Sequence, residues 1–232
     1  MIAPITQFQD STLAFEHWRL IEAQQRSEHL LTFQSQLAKS EPDLAAIAAM
    51  QMEYSRQWVE KTHQLQGPTG ETNELYLAPR GVTLLVAQEE CRHAQIALTA
   101  QLIAALIAGN SVVLCIKDRG FAELIDHAWR DTNVSPYLVQ CFSLESYQEF
   151  VEFDIRSAGY VGRECGAIEF NRNIAERNGV IIPTVVESDF VSLATTQDPA
   201  LVLRFCTERT RTINITAVGG NATLLELGNP AH

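Results

Sequence analysis

Short apolar runs rich in β-branched residues alternate with longer amphipathic stretches between residues 82 and 186. The two clearest runs are Val82–Ala87 and Ser111–Ile116, which are almost wholly apolar. Strands of this kind that alternate with helices predict a parallel sheet with helices on both faces, because only such a sheet buries both sides of each strand. The fold class predicted is therefore α/β, with a Rossmann-like parallel sheet and flanking helices.

The same pattern gives expected positions for the other elements of this region. Further strands are expected at 74–77, 137–142, 155–161 and 180–186, and helices at 93–108, 121–130, 144–151 and 163–177.

The two ends of the chain differ from the centre. Helical spacing predicts one long helix over 12–39 and a second over 42–64, the second opening with Pro42 in its first turn. Towards the other end, 199–207 indicates a short helix, and 209–217 alternates polar and apolar residues as a half-exposed strand does.

A turn at Gly219–Asn221 would let residues 222–227 pair back on that strand as a β-flap. A flap edge must be paired or covered, so such a hairpin is suited to oligomer contacts. We therefore expect a helical segment at 1–66, a Rossmann-like domain at 67–207, and a β-flap and tail at 208–232.

Composition limits the partners and the compartment. The chain has 232 residues with 28 acidic and 17 basic side chains, a formal charge of −11, which disfavours nucleic acid and anionic membranes as partners. No apolar run approaches the roughly 20 residues of a membrane helix, and the N-terminus has no secretory pattern. Five cysteines, with no CxxC pair, predict neither a disulfide framework nor a zinc site. A cytoplasmic location is expected.

Four blocks of sequence carry a family resemblance. Residues 67–87 are GPTGETNELYLAPRGVTLLVA, 97–114 are ALTAQLIAALIAGNSVVL, 169–188 are EFNRNIAERNGVIIPTVVES, and 212–228 are TINITAVGGNATLLELG. The first three resemble the nucleotide-binding domain of aldehyde dehydrogenases, and the first is most similar to the pyrroline-5-carboxylate dehydrogenase module of proline utilization A. The last resembles the C-terminal motif of proline utilization A.

The resemblance implies a Rossmann-like domain with a β-flap and a setting in proline catabolism. In longer members of the family, a truncated domain of this kind is non-catalytic and packs against the active domains. It also implies where the partner would bind, which is through residues 209–227, either as a homo-oligomer or on a proline utilization A enzyme.

An aldehyde dehydrogenase needs a cysteine nucleophile, an oxyanion-stabilising asparagine and a carboxylate base. No cysteine stands in a glycine-rich loop here; Cys91 and Cys165 are the more reactive candidates, and Cys165 lies near a helix start. The loop after the strand 82–87 begins at Gln88 and offers carboxylates where the family has an asparagine. Glu187 stands at the position of the family's general base and is a weak catalytic candidate.

Binding of NAD would depend on three residues that the resemblance indicates. Lys117 follows the second strand and is a weak substitute for the family's ribose-binding lysine, while Gly162 and Arg163 open the helix that faces the phosphates. The glycines at 159, 162 and 166 do not have GxGxxG spacing and are a weak signal. NAD is possible but not expected. The histidines at 63, 93 and 127 have no paired-ligand spacing, so no metal site is expected.

Three functions remain open at this point. The leading hypothesis is a non-catalytic aldehyde-dehydrogenase-like domain that binds protein. The alternative is an NAD-binding oxidoreductase of pyrroline-5-carboxylate dehydrogenase type, with residual activity or with a catalytic chain supplied in trans. The third is a degenerate remnant with no selected role.

Overall fold

A computed structural model describes residues 4–68 and 70–214 of the chain. The α-helices in these residues are α1 (Pro4–Trp18), α2 (Ala23–Leu37), α3 (Pro42–Val59), α4 (Arg92–Ile107), α5 (Arg119–Arg130), α6 (Tyr147–Val151) and α7 (Glu164–Glu176). The strands are β1 (His63–Leu65), β2 (Glu71–Pro79), β3 (Val82–Ala87), β4 (Ser111–Ile116), β5 (Val139–Ser143), β6 (Ser157–Val161), β7 (Thr184–Glu187) and β8 (Cys206–Asn214). No helix in these ranges is long and apolar enough to cross a membrane.

The central sheet confirms the predicted α/β class. Its five strands are parallel and lie in the order β5-β4-β3-β6-β7. The chain runs outward from β3 through β4 to β5, then crosses back to β6 on the other side of β3. The strand order therefore reverses between β3 and β6, and in open α/β sheets ligands bind at the carboxyl ends of the strands at such a point.

Two hydrophobic cores lie on the two faces of this sheet. Along β3, Leu85 packs in the core that contains α3 and α4, whereas Leu84 and Val86 pack in the core that contains α6 and α7. The alternation follows from the two-residue period of a strand. It explains why the run of residues 82–87 has no polar face.

Helix α4 is buried along most of its length, with twelve of its sixteen residues inside the protein. It packs on β3 on one side and on α3 on the other. A helix that is covered on several sides needs apolar residues all round rather than one stripe. This requirement accounts for the sequence ALTAQLIAALIA.

The predicted helix over 12–39 was wrong, because the chain breaks at residues 19–22 into α1 and α2. The break lets two side chains reach the end of α4. Trp18 Nε1 donates to the carbonyl oxygen of Leu106 at 2.8 Å, and Arg26 Nε donates to that of Ile107 at 3.0 Å. The last carbonyls of a helix lack partners within the helix, so these two bonds satisfy the end of α4 with residues from α1 and α2.

Other element boundaries also differ from the predictions. The helix expected over 42–64 ends at Val59, and residues 63–65 form β1, which pairs with β2. The strand expected over 180–186 is the shorter β7, and Ile181 before it is fully exposed. In both places, a tertiary partner or its lack decides the structure rather than the local pattern.

The antiparallel sheet has the order β1-β2-β8. Strand β8 pairs with β2 along its whole length, from Glu71 opposite Asn214 to Pro79 opposite Cys206. The helix predicted over 199–207 is a 3-10 helix at Leu201–Phe205, after which β8 begins. The predicted pairing with residues 222–227 lies outside the described residues. The division into three segments at 66 and 207 stays a prediction.

Asn110, in the turn between α4 and β4, connects three parts of the chain. Its Oδ1 accepts from the backbone N–H groups of Arg80 at 2.8 Å and Gly81 at 3.0 Å. Its Nδ2 donates to the carbonyl oxygens of Ala105 at 3.1 Å and Phe205 at 3.0 Å. The side chain is fully buried, and each of its hydrogen-bonding groups has partners.

Replacing Asn110 by alanine would remove the side-chain partner of the backbone N–H groups of Arg80 and Gly81 and of the Phe205 carbonyl oxygen. We expect Asn110→Ala to lower the free energy of unfolding by about 3 kcal/mol, since each buried group left unsatisfied costs about 1–3 kcal/mol. Urea unfolding followed by circular dichroism measures this loss. The matched control is Asn178→Ala at an exposed position, expected within about 0.5 kcal/mol of wild type. Equal stabilities of the two variants would contradict the role of Asn110.

Candidate functional site

The carboxyl edge of the parallel sheet, at the reversal between β3 and β6, is the candidate site. The segment after β3 supplies Gln88, Glu89 and Glu90; the one after β4 supplies Lys117; and the one after β6 supplies Gly162 and Arg163. Strand β7 ends at Glu187 beside them, and Gly162 N–H donates to its carbonyl oxygen at 3.2 Å. The sheet thus brings the residues singled out from the sequence to one edge.

The two predicted nucleotide-binding cations are both paired with carboxylates. Arg163 Nε lies 3.1 Å from Glu89 Oε1, and Lys117 Nζ lies 3.6 Å from Glu90 Oε1. Both carboxylates come from the segment after β3. Ion pairs this exposed contribute only about 0–1 kcal/mol, so they reduce the positive charge of the edge without closing it.

The side chain of Tyr160 packs beneath the first turn of α7. Its ring is fully buried and stacks on Phe170 at 5.3 Å, and its hydroxyl donates to Gln88 Oε1 at 2.8 Å. Burial, with smaller contributions from nearby Cys165 and Glu89, raises the pKa of this hydroxyl to about 12. The tyrosine is therefore a neutral donor at physiological pH.

Three glycines make room for side chains of the protein itself. A Cβ at Gly162 or Gly166 would overlap the Tyr160 hydroxyl, and one at Gly159 would overlap Gln101 and Leu85. A glycine-rich stretch at a helix start often lets the backbone approach a phosphate. In this stretch, the missing Cβ atoms are accounted for by internal packing.

Glu187 is buried, with 2% of its surface exposed. Its Oε2 accepts from Thr196 N–H at 2.9 Å and from Thr196 Oγ1 at 3.1 Å, and its Oε1 accepts from Asp189 N–H at 3.3 Å. Both carboxylate oxygens are thus engaged by the segment that follows. This geometry supports a positioning role for Glu187; its catalytic role stays an untested prediction.

The connection from β7 to β8, residues 188–205, is fastened to the rest of the domain. Thr195 Oγ1 donates to the Val186 carbonyl oxygen at 2.8 Å, and Gln51 Nε2 of α3 donates to that of Thr196 at 2.7 Å. Trp58 Nε1, also on α3, donates to the Pro199 carbonyl oxygen at 2.9 Å. The chain therefore passes directly from the parallel sheet to the antiparallel sheet along α3.

The cysteines differ in exposure. Cys91 and Cys165 are exposed, while Cys115 and Cys206 are buried and Cys141 is partly buried. Burial raises the pKa of Cys141 and Cys206 to about 12, and it also raises the pKa of Cys115. A thiol with so high a pKa is a poor nucleophile, because the thiolate is the reactive form.

No cluster of three or more His, Cys, Asp or Glu side chains in residues 4–68 and 70–214 could hold a metal ion. Tyr160, Gln88 and Thr196 are the residues at this edge that the sequence patterns did not single out. One sequence feature could have indicated that Tyr160 is packed at this edge. It stands between Gly159 and Gly162, and a large buried ring needs small neighbours.

Comparison with solved structures identifies the fold. Proline utilization A from Bdellovibrio bacteriovorus matches with a TM-score of 0.70 and 14% identity over 78% of this chain and 22% of that chain. A variant of the Bradyrhizobium japonicum protein matches with a TM-score of 0.67 and 20% identity over 82% and 23%. Staphylococcus aureus AldH in a substrate-bound state matches with a TM-score of 0.64 and 16% identity over 81% and 46%.

The chain shares its fold with parts of proline utilization A and of AldH, as the resemblance of its sequence to aldehyde dehydrogenases and proline utilization A predicts. It spans less than half the length of each of these three structures. No family model matches the sequence, and no curated protein matches it. At these identities, the comparison establishes the fold.

If Glu187 holds the connection in place, its removal should loosen residues 188–200 first. We expect Glu187→Ala to lower the free energy of unfolding by about 2 kcal/mol, from the unsatisfied groups it leaves, and to speed proteolytic cleavage within this segment. Limited proteolysis with mass spectrometry locates the cuts. The control is Glu123→Ala, an exposed carboxylate on α5. Cleavage at the same rate in both variants would refute the positioning role.

Proposed function

We propose that this chain is a non-catalytic aldehyde-dehydrogenase-like domain that acts by binding protein. It associates with a second copy of itself, or docks on a proline utilization A enzyme, through residues 209–227. The observation that carries the proposal is the fastened connection between β7 and β8. In the family that the sequence resembles, a catalytic domain follows the position of Glu187. In this chain, residues 188–205 instead run along α3 to β8.

The pairing and packing at the carboxyl edge support the same proposal. Tyr160 occupies the space under α7, and Glu89 and Glu90 neutralise Arg163 and Lys117. A domain retained for nucleotide chemistry would gain from free cations at this edge, because phosphate recognition depends on them.

The described part of the flap has the character of a contact surface. Strand β8 pairs with β2 on one side only among the described strands, and from Glu208 to Asn214 its residues are exposed. Ile213 is 42% exposed on this strand. A solvent-exposed strand that carries an exposed apolar side chain supports association with another chain.

Association through the flap can be tested with one charge placed on β8. We expect wild type to form a dimer or larger assembly, and Ile213→Glu to shift it to monomer by weakening self-association at least tenfold, because a buried unpaired carboxylate is costly. Light scattering coupled to size-exclusion chromatography measures the mass. Ile168→Glu, at an exposed isoleucine on α7, is the matched control and should stay assembled.

Docking on the enzyme is measured separately, by interferometry with immobilised proline utilization A. Binding that Ile213→Glu weakens and Ile168→Glu retains would identify docking as the role. A wild-type protein that is monomeric and does not bind the enzyme would overturn the proposal.

The second candidate is an NAD-binding oxidoreductase, favoured by one observation. Arg163 stands at the start of α7 with 77% of its side chain exposed, at the edge where the strand order reverses. In this candidate Gly162, Arg163 and Lys117 would meet the nucleotide, and Glu187 would be the catalytic base.

Calorimetric titration with NAD⁺ separates the two candidates. On the protein-binding proposal we expect no saturable heat with wild type up to about 1 mM, the weak end of the affinity scale. Glu89→Gln removes the ion-pair partner of Arg163. NAD⁺ binding by this variant but not by wild type would mean that the ion pair alone prevents nucleotide binding. Saturable binding by wild type that Arg163→Ala weakens would favour the NAD-binding candidate instead.

A further inference from the structure

A cleft of about 470 Å³ lies at the opposite, amino edge of the parallel sheet. Its wall includes Arg19 just after α1, Arg80 before β3, Arg156 before β6 and Arg209 on β8, and we call it the arginine cleft. The volume falls in the range of small-molecule pockets. Four segments distant in sequence contribute one guanidinium each.

The charge of the arginine cleft is opposite to that of the whole chain. Two carboxylates line it: Glu16 pairs with Arg19 at 2.6 Å, and Asp154 pairs with Arg156 at 2.8 Å. Among the described residues, Arg80 and Arg209 have no ion-pair partner. A concave surface with excess positive charge in an acidic protein concentrates anions.

Arg80 is held in place and lacks a partner for one of its donors. Its backbone N–H donates to Asn110 Oδ1 at 2.8 Å, which fixes the residue between β2 and β3. Its Nε is buried without a hydrogen-bond acceptor in the described part of the chain. A buried donor left unsatisfied destabilises the protein, so an anion that reaches it and accepts its hydrogen bond would remove that penalty.

Part of the wall of the cleft is apolar. Phe15 from α1 and Val82 at the start of β3 face it, and the Arg19 guanidinium lies 6.0 Å from the centre of the Phe15 ring. Such a cleft fits a ligand with a charged end and a small carbon skeleton rather than a bare ion.

We propose that the arginine cleft binds a small organic anion, whose carboxylate or phosphate accepts hydrogen bonds from Arg80 and Arg209. The site lies at the other edge of the sheet from the nucleotide crevice at Gly162 and Arg163. Arg209 also belongs to the segment 209–227 that is proposed to bind protein, so the two functions share this residue. Anion binding is measured independently of NAD⁺.

The test is a calorimetric titration with succinate and, in a separate arm, glycerol 3-phosphate, at constant ionic strength in sodium chloride. We expect saturable binding in at least one arm. Arg80→Gln and Arg209→Gln should each weaken it at least about tenfold, because hydrogen bonds to charged groups contribute about 1.5–3 kcal/mol. The stronger arm identifies the anion as a carboxylate or a phosphate.

The matched control is Arg130→Gln, which removes one charge from α5, where Arg130 pairs with Asp126. It should retain affinity within about twofold, since exposed ion pairs contribute little. Equal weakening by Arg130→Gln, or heat that never saturates in both arms, would overturn the proposal.

A spectroscopic readout covers the case in which Arg80→Gln does not fold. In wild type labelled with ¹⁵N-arginine, the Nε–H resonance of Arg80 should shift saturably with the anion. Arg209→Gln, at an exposed position, should weaken this response. An Arg80 resonance that does not move while the anion binds elsewhere would also overturn the site.

Discussion

The end of α4 is the point on which the arrangement of this domain depends. Its last carbonyls accept from Trp18 and Arg26, and Asn110, just beyond it, holds the backbone of Arg80, Gly81 and Phe205. These contacts join the N-terminal helices, the entry to β3 and the approach to β8 at one buried position. Because buried polar groups must be paired, each of these segments is fixed by the partner it supplies.

The central sheet could be predicted from the sequence because its constraint is local. A strand covered on both faces needs apolar residues at every position, and β3 and β4 have them. The break between α1 and α2 could not be predicted in this way. Helical spacing continues through residues 19–22, and the break lets Trp18 and Arg26 bond to the end of a helix that lies 88 and 81 residues away in sequence.

The position of the candidate site could be predicted from the sequence, but the contacts of its side chains could not. Strand ends placed Gly162, Arg163, Lys117 and Glu187 at one edge, and the resemblance indicated which of them to expect there. The sequence did not reveal that Tyr160 fills the crevice or that Glu187 bonds to Thr196. Both depend on which way a side chain points in a packed interior, which a strand pattern gives only as one face or the other.

The packing around Tyr160 also limits how the crevice can change by mutation. Gly162 and Gly166 contribute no side-chain atoms, so truncating the tyrosine would leave a void that neither neighbour can fill. Deleting a buried aromatic ring costs about 3–5 kcal/mol, a large part of the roughly 5–15 kcal/mol that stabilises a domain. Opening this space would therefore need compensating substitutions elsewhere before the ring is lost. Stability alone would retain the ring, whatever the domain binds.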